Sequence, residues 1–250
     1  MFVVAIGLVV TRSPGWHEFK AYFFDWHRYR ASFPEISHAF GLNVKIFLIA
    51  EAIILVTALA LAVIRSLTGP VFFPLRALAI IYTDFFRGVP TILVILMLGT
   101  GMPALQIAWM PKSQVFWAIV SLVLVYTAYV SEVYRAGIES VHPSQTAAAR
   151  SLGLTHGQAL RYVILPQAVR RVVPPLLNDF IGLQKDSALV SVLGVVEALE
   201  QSQIDEAASF NATYYLVAAT LFVAVTIPLA RLTDWLLARD RRRQQTGQLA

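Results

Sequence analysis

Residues 147–166 read AAARSLGLTHGQALRYVILP. Ala147, Ala148 and Ala149 favour a helix, and Gly153 suits the left-handed residue that ends one. Thr155 and Gln158 form a T-x-x-Q capping box for a second helix. Pro143 and Ser144 open the first helix, with Ser144 expected as its cap, and Pro166 is expected to mark the end of the second. The hairpin is far too polar to cross a bilayer, yet long apolar stretches flank it on both sides. Held between membrane crossings, such a hairpin suits docking by a cytosolic partner: the alanines leave a smooth, shallow face, with Arg150 and Arg161 at its rim. Two other readings share this outline. One is a loop helix lying on the membrane; the other is a DNA-binding helix-turn-helix, which flanking spans within about ten to fifteen residues keep away from a major groove.

Composition sets the class. With 57% hydrophobic and 14% charged residues over 250 positions, the chain carries more apolar surface than one soluble domain buries. It reads as an all-α, polytopic membrane protein. The formal charge of +5 is read as basic residues gathered on cytoplasmic loops, not as a nucleic-acid footprint. The absence of cysteine excludes disulfides, thiolate metal sites and cysteine nucleophiles. The five histidines show no HxxxH or HExxH spacing, so no metal site is expected.

A crossing needs about 20 mostly apolar residues. The expected spans are Ala39–Ile64, closed by the turn Thr68-Gly69-Pro70; one bent helix within Val71–Ala104, kinked at Pro90, with two separate spans as the alternative; Gln114–Ser131; Pro174–Val196; and Asn211–Ala230. Met1–Val10 is too short to cross and reads as an exposed or interfacial end. Trp16–Phe33 mixes aromatic and basic residues, as a segment lying among headgroups does. The chain divides into an external or interfacial segment (1–38), a membrane domain (39–237, with the hairpin at about 143–166) and a basic cytoplasmic tail (238–250). Loop charge gives the orientation. Arg65, Arg76, Arg87, Arg135, Arg150, Arg161, Arg170, Arg171 and the tail arginines Arg239, Arg241, Arg242 and Arg243 fall on one side, whereas Glu197, Glu200, Asp205 and Glu206 share a loop without Lys or Arg. That asymmetry puts the acidic loop outside and the carboxy terminus inside. Arg12, Lys20, Arg28 and Arg30 then lie outside, against the rule.

The spacing Ala147-Ala148-Ala149, Gly153, Val163, Leu165-Pro166 resembles the EAA signature of ATP-binding-cassette (ABC) import permeases. Phe86-Arg87-Gly88-Val89-Pro90, Tyr134-Arg135-Ala136-Gly137-Ile138, Gln167-Ala168 and Lys185-Asp186-Ser187-Ala188-Leu189-Val190-Ser191-Val192, with Glu197 following, are similar to elements of the polar amino acid branch of bacteria. The likeness covers about residues 40–237. It departs at Ala147, where the signature has Glu, at Ser144, where Gly is usual, and at Ala188, where a Ser is replaced. A Glu at the third helical position normally reaches back to the cap, so its loss is expected to weaken the helix start by a few tenths to about 1 kcal/mol.

The resemblance implies a type I importer permease fold with five core transmembrane helices and a cytoplasmic coupling helix, in the bacterial cytoplasmic membrane. It implies Ala147, Ala148, Ala149, Arg150, Gly153, Leu165 and Pro166 as the residues that couple to an ATPase. The implied partners are two cytosolic ATPase subunits, a second permease, identical or related, and an external substrate-binding protein. No G-x-x-x-x-G-K-[ST] loop occurs, so no cofactor is expected on this chain, and ATP with magnesium belongs to the ATPase. An ionisable group in hydrocarbon costs several kcal/mol unless paired or wetted, which makes Arg87, Lys185 and Asp186 candidates for the solute route, with Ser187 beside them. Lys185 and Asp186 would meet a zwitterion's two charges, or, with Asp179, pair with neighbouring helices. Arg87 also reads as an anchor at the kink, and Glu51 is left unassigned. The rivals are an ion-coupled secondary transporter and a membrane scaffold subunit.

Overall fold

The computed structural model describes residues 9–67 and 69–247, with the side chains of 156, 160 and 240–247 left out of the description. Most of the Met1–Val10 segment, part of the Thr68-Gly69-Pro70 turn and the last three residues of the tail lie outside the described residues. Every described element is helical: α1 (Trp16–Phe23), α2 (Trp26–Ser66), α3 (Phe73–Gly88), α4 (Thr91–Ala104), α5 (Gln114–Glu139), α6 (Pro143–Ser151), α7 (His156–Ala159), α8 (Leu165–Asp186), α9 (Ala198–Ser209) and α10 (Thr213–Gly247). A π turn (Leu160–Ile164) joins α7 to α8, and a 3-10 segment (Ser187–Leu193) continues α8.

The long helices start and end elsewhere than the apolar runs do. The first crossing was expected from Ala39, but α2 begins at Trp26 and runs 41 residues, about 60 Å at 1.5 Å per residue and longer than a bilayer with its headgroups. Asp25 sets that start: its carboxylate accepts from the Arg28 backbone N–H at 3.1 Å and its own N–H donates to Thr213 Oγ1 at 3.0 Å. Ile36 and Phe40 then bury against Val217 and Ala218 of α10, so the polar and aromatic residues read as interfacial form the outer face of one helix. Only Trp16–Phe23 remains a separate short helix, and none of its residues is buried.

The stretch 71–104 breaks into α3 and α4, bent by 102°. Val89 is extended (φ −94°, ψ 131°), as the residue before a proline prefers, and Pro90 has no N–H to continue α3. The third crossing runs on to Glu139, not Ser131. The fourth begins at Leu165 instead of Pro174, carries Pro174 and Pro175 inside it, and tightens into the 3-10 segment, where left-handed Gly194 (φ +71°) stops it. Among the described residues three helices are long and apolar enough to cross a membrane, or four if the bent pair is one span. α8, which covers part of the expected fourth span, is amphipathic and is not among them.

Packing fixes which ends lie together. α2 and α10 run side by side in the same direction, with Phe40 edge-on to Phe222 at 5.0 Å between centroids. At their start α1 straps onto the loop before α10: Ala212 N–H donates to Tyr22 O at 2.9 Å, Asn211 Nδ2 to Ala21 O at 3.0 Å, and the Tyr22 hydroxyl to Glu206 at 3.0 Å. The acidic helix α9 therefore sits with α1 at one end, and Arg65 with the α10 arginines at the other. Within the membrane region Asn43 clasps three elements. Its amide donates to Glu197 Oε2 (2.7 Å) and Ser187 Oγ (3.3 Å) and accepts from Ala198 N–H (3.1 Å). Glu197 in turn caps α9 through the N–H groups of Leu199 and Glu200.

Two outcomes follow for the purified chain in detergent. Asn43→Leu removes a donor from a fully buried carboxylate and is expected to cost about 1–3 kcal/mol, read as a lower melting midpoint; an unchanged midpoint would contradict the clasp. At Gly137 a Cβ would overlap Val172 Cγ2, with the Ala168 carbonyl 3.5 Å behind. Gly137→Ala is expected to cost about 1–3 kcal/mol and Val172→Ala in the same chain to recover most of it.

Candidate functional site

The hairpin forms between α5 and α8. His142, not Ser144, is the N-cap: its ring nitrogen accepts from Ser144 N–H at 3.2 Å, and Pro143 takes the first helical position, where its missing N–H costs nothing. The third helical residue is therefore Gln145. Ala147 lies two positions further on, so a Glu there would not complete a capping box, and the loss expected from its absence does not arise. α6 ends in a Schellman motif: Leu154 N–H donates to Ala149 O (3.2 Å) and Gly153 N–H to Arg150 O (3.0 Å), with Gly153 at φ +84°. The capping box forms as the sequence indicates: Gln158 N–H donates to Thr155 Oγ1 at 3.3 Å, and Thr155 N–H to Gln158 Oε1 at 2.9 Å.

Pro166 does not end the second helix. The chain passes through the π turn, and the helical backbone runs without a break from His156 to Asp186, so α7, the turn and α8 form one continuous rod; the Gln167 side-chain Nε2 donates to Val163 O at 2.9 Å. Ala149 and Ala159 turn inward, whereas Ala147, Ala148, Arg150, Gly153, Leu165 and Pro166 are exposed. Leu152, overlooked in the sequence, is 85% exposed and stands at the tip of the hairpin as an apolar knob beside the alanines.

Both roots of the hairpin are tied to the bundle. Arg65 at the end of α2 bonds Glu132 of α5, Glu132 bonds Arg135 (2.7 Å), and Arg135 bonds Glu139 (2.5 Å). The Arg171 guanidinium of α8 donates to Ser140 O.

Above these ties lies a cavity of about 400 Å³ lined by Arg87, Tyr129, Glu132, Ala136, Gly137, Arg171, Pro175 and Asp179 among others. Arg87 extends over the Tyr129 ring, 6.0 Å from its centroid, and the Tyr129 hydroxyl donates to Arg87 O at 3.4 Å. Of the four route candidates the cavity takes only Arg87. Lys185 is exposed away from it. Asp186 accepts from the Tyr126 hydroxyl at 2.9 Å, and Ser187 is fully buried, donating to Gln184 O at 2.7 Å. The structure instead brings forward Asp179, which lines the cavity, and Glu51, which lies near Asp179 but not on the cavity wall. Asp179 Oδ2 is buried without a hydrogen-bond partner. Glu51, 9% exposed on α2, makes no hydrogen bond or ion pair among the described residues, and its charged neighbour is Asp179. The signal for Glu51 was a lone carboxylate in an apolar run; its neighbour, 128 positions later, was not legible.

The sequence profile of the family described as "Binding-protein-dependent transport system inner membrane component" matches residues 66–242. The chain is 35% identical over 213 residues (84% of its length, 93% of the relative's) to the probable amino-acid permease protein YxeN of Bacillus subtilis (strain 168). It is 32% identical over 224 residues (87% and 99%) to the glutamate/aspartate import permease protein GltK of Escherichia coli O157:H7. Among solved structures it is similar to an amino acid ABC transporter with histidines, at TM-score 0.78 and 29% identity over 86% of this chain and 98% of that one. The MetNI methionine ABC transporter, at TM-score 0.65 and 17% identity over 82% and 95%, shares the fold. The chain belongs to the family of inner membrane components of binding-protein-dependent transport systems, as a permease subunit of an ABC importer and not an enzyme.

Proposed function

We propose that this chain moves polar amino acids across the bacterial cytoplasmic membrane, with the hairpin and the carboxy terminus on the cytoplasmic side. It works with two cytosolic ATPase subunits that carry the ATP and magnesium, a second permease, and an external binding protein that delivers the solute at the α1 and α9 end. The observation that carries this reading is the hairpin: a polar double helix at the arginine-rich end, with Ala147, Ala148 and Leu152 exposed and both roots ion-paired or hydrogen-bonded to spans. A closing ATPase that grips this face moves α5 and α8 as one body and tips a two-state equilibrium between outward and inward openings.

The solute route follows α8 past the charged cavity. Unpaired carboxylates in hydrocarbon are costly, and a passing amino acid brings the missing counter-charge: its ammonium meets Asp179 and Glu51, its carboxylate Arg87 or Arg171. Those same carboxylates are what an ion-coupled carrier would use, so the energy source separates the two readings.

The purified chain is expected to hydrolyse no ATP. Co-expressed with its cognate ATPase it is expected to form a complex that Gly153→Asp destroys, since φ +84° strains a side chain there and the carboxylate projects into the open space at the exposed tip; uptake that persists without any ATPase and collapses with an uncoupler would establish the rival. Asp179→Asn and Glu51→Gln are each expected to lower uptake at least tenfold while leaving the ATPase complex intact. Unchanged uptake in both would remove the cavity from the route.

A further inference from the structure

A second groove, of about 410 Å³, lies far from the charged cavity, between the first turns of α2 and α10. Phe23, Phe24, Trp26 and Tyr29 wall one side; Leu216, Ala219, Thr220 and Val223 wall the other. Its polar end offers nothing to a dissolved ligand. Asp25 already bonds Arg28 through its side chain, at 3.1 Å, and its N–H is taken by Thr213. The lining is otherwise aromatic and aliphatic, and it opens sideways onto the lipid-facing surface, where Trp26, Phe24 and Val223 are exposed.

Two features select the occupant. The first is length. From Thr213 to Val223 the groove follows eleven residues of α10, ten rises or about 15 Å at 1.5 Å each, and half of a hydrocarbon core of about 30 Å is one leaflet. The second is charge. Arg30 sits one turn into α2, and helical side chains lean toward the amino-terminal end; its guanidinium lies over the Trp26 ring, 5.6 Å from the centroid, at the rim of the groove. Arg28 is neutralised by Asp25, but Arg30 makes no ion pair among the described residues. An unmatched cation snorkelling over an aromatic wall, at the mouth of a one-leaflet apolar slot, complements an anionic headgroup joined to an acyl chain.

We propose that this groove is a binding site for one anionic phospholipid, its acyl chain lying along Trp26, Leu216, Ala219 and Val223 and its phosphate meeting Arg30. The lipid bridges α2 to α10 near the end where α1 straps onto the loop before α10, filling a gap that side chains leave open.

The test reconstitutes the full chain into phosphatidylcholine nanodiscs doped with phosphatidylglycerol or, separately, phosphatidylcholine carrying a photoreactive acyl chain, and maps the labelled residues by mass spectrometry. Phosphatidylglycerol is expected to label the stretches 23–29 and 216–223 about fivefold more than phosphatidylcholine, the preference one cationic group gives at an anionic surface. Arg30→Gln, an exposed substitution, is expected to equalise the two lipids without lowering the melting midpoint. Ala219→Trp, which fills the slot, is expected to abolish labelling of these stretches by both. Equal labelling of the unmodified chain by the two lipids, or labelling that avoids both stretches because detergent or a protein segment fills the slot, overturns the proposal.

Discussion

The ion-pair chain from Arg65 through Glu132 and Arg135 to Glu139 decides what the rest of the molecule can do. It joins the end of α2 to the end of α5 where the hairpin departs, and its first pair is mostly withdrawn from solvent, with side-chain exposures of 13% and 17%. Removing Glu132 would leave Arg65 without a partner in this mostly withdrawn position, whereas removing Arg65 leaves Glu132 still bonded to Arg135. Arg171 fastens the returning helix α8 to the same place through Ser140. A hairpin rooted this way does not swing on loose loops. Force applied to its tip reaches three spans at once.

The continuity of the second arm serves the same end. A proline at 166 reads as a stop, and in water it would often be one. Here the helical backbone runs on through the π turn, and α7, the turn and α8 transmit as one rod into the charged cavity. The cavity has the opposite character from the Asn43 clasp a few turns away. At the clasp every buried polar group finds partners, so α2, α9 and the 3-10 segment are held in register. Around Asp179 and Glu51 the partners are missing, which is affordable only where a cation regularly arrives or water enters.

What the sequence revealed was mostly local. The T-x-x-Q box and left-handed Gly153 form as their chemistry dictates, because capping depends on residues three or four apart. The charge asymmetry between Arg65 and the Glu197–Glu206 loop matches the two ends of the bundle. What stayed hidden depended on tertiary neighbours. Asp25 caps α2 locally, but the polar stretch it opens is held against the bundle through Ile36 and Phe40 packing on α10, and the 102° break at Pro90 shows its angle only in three dimensions. His142 displaced Ser144 as the cap through a ring nitrogen that propensity scales rank low. Glu51 gained meaning only when folding set it beside Asp179.

The central claim is that the hairpin tip is gripped by a nucleotide-hydrolysing subunit during import. The most direct measurement places a cysteine-directed crosslinker at Leu152→Cys in cells actively taking up amino acid. The account expects the captured protein to be an ATP-binding subunit, with a yield that changes between nucleotide-bound and nucleotide-free states. Import that proceeds at full rate while the tip captures no such subunit would contradict it.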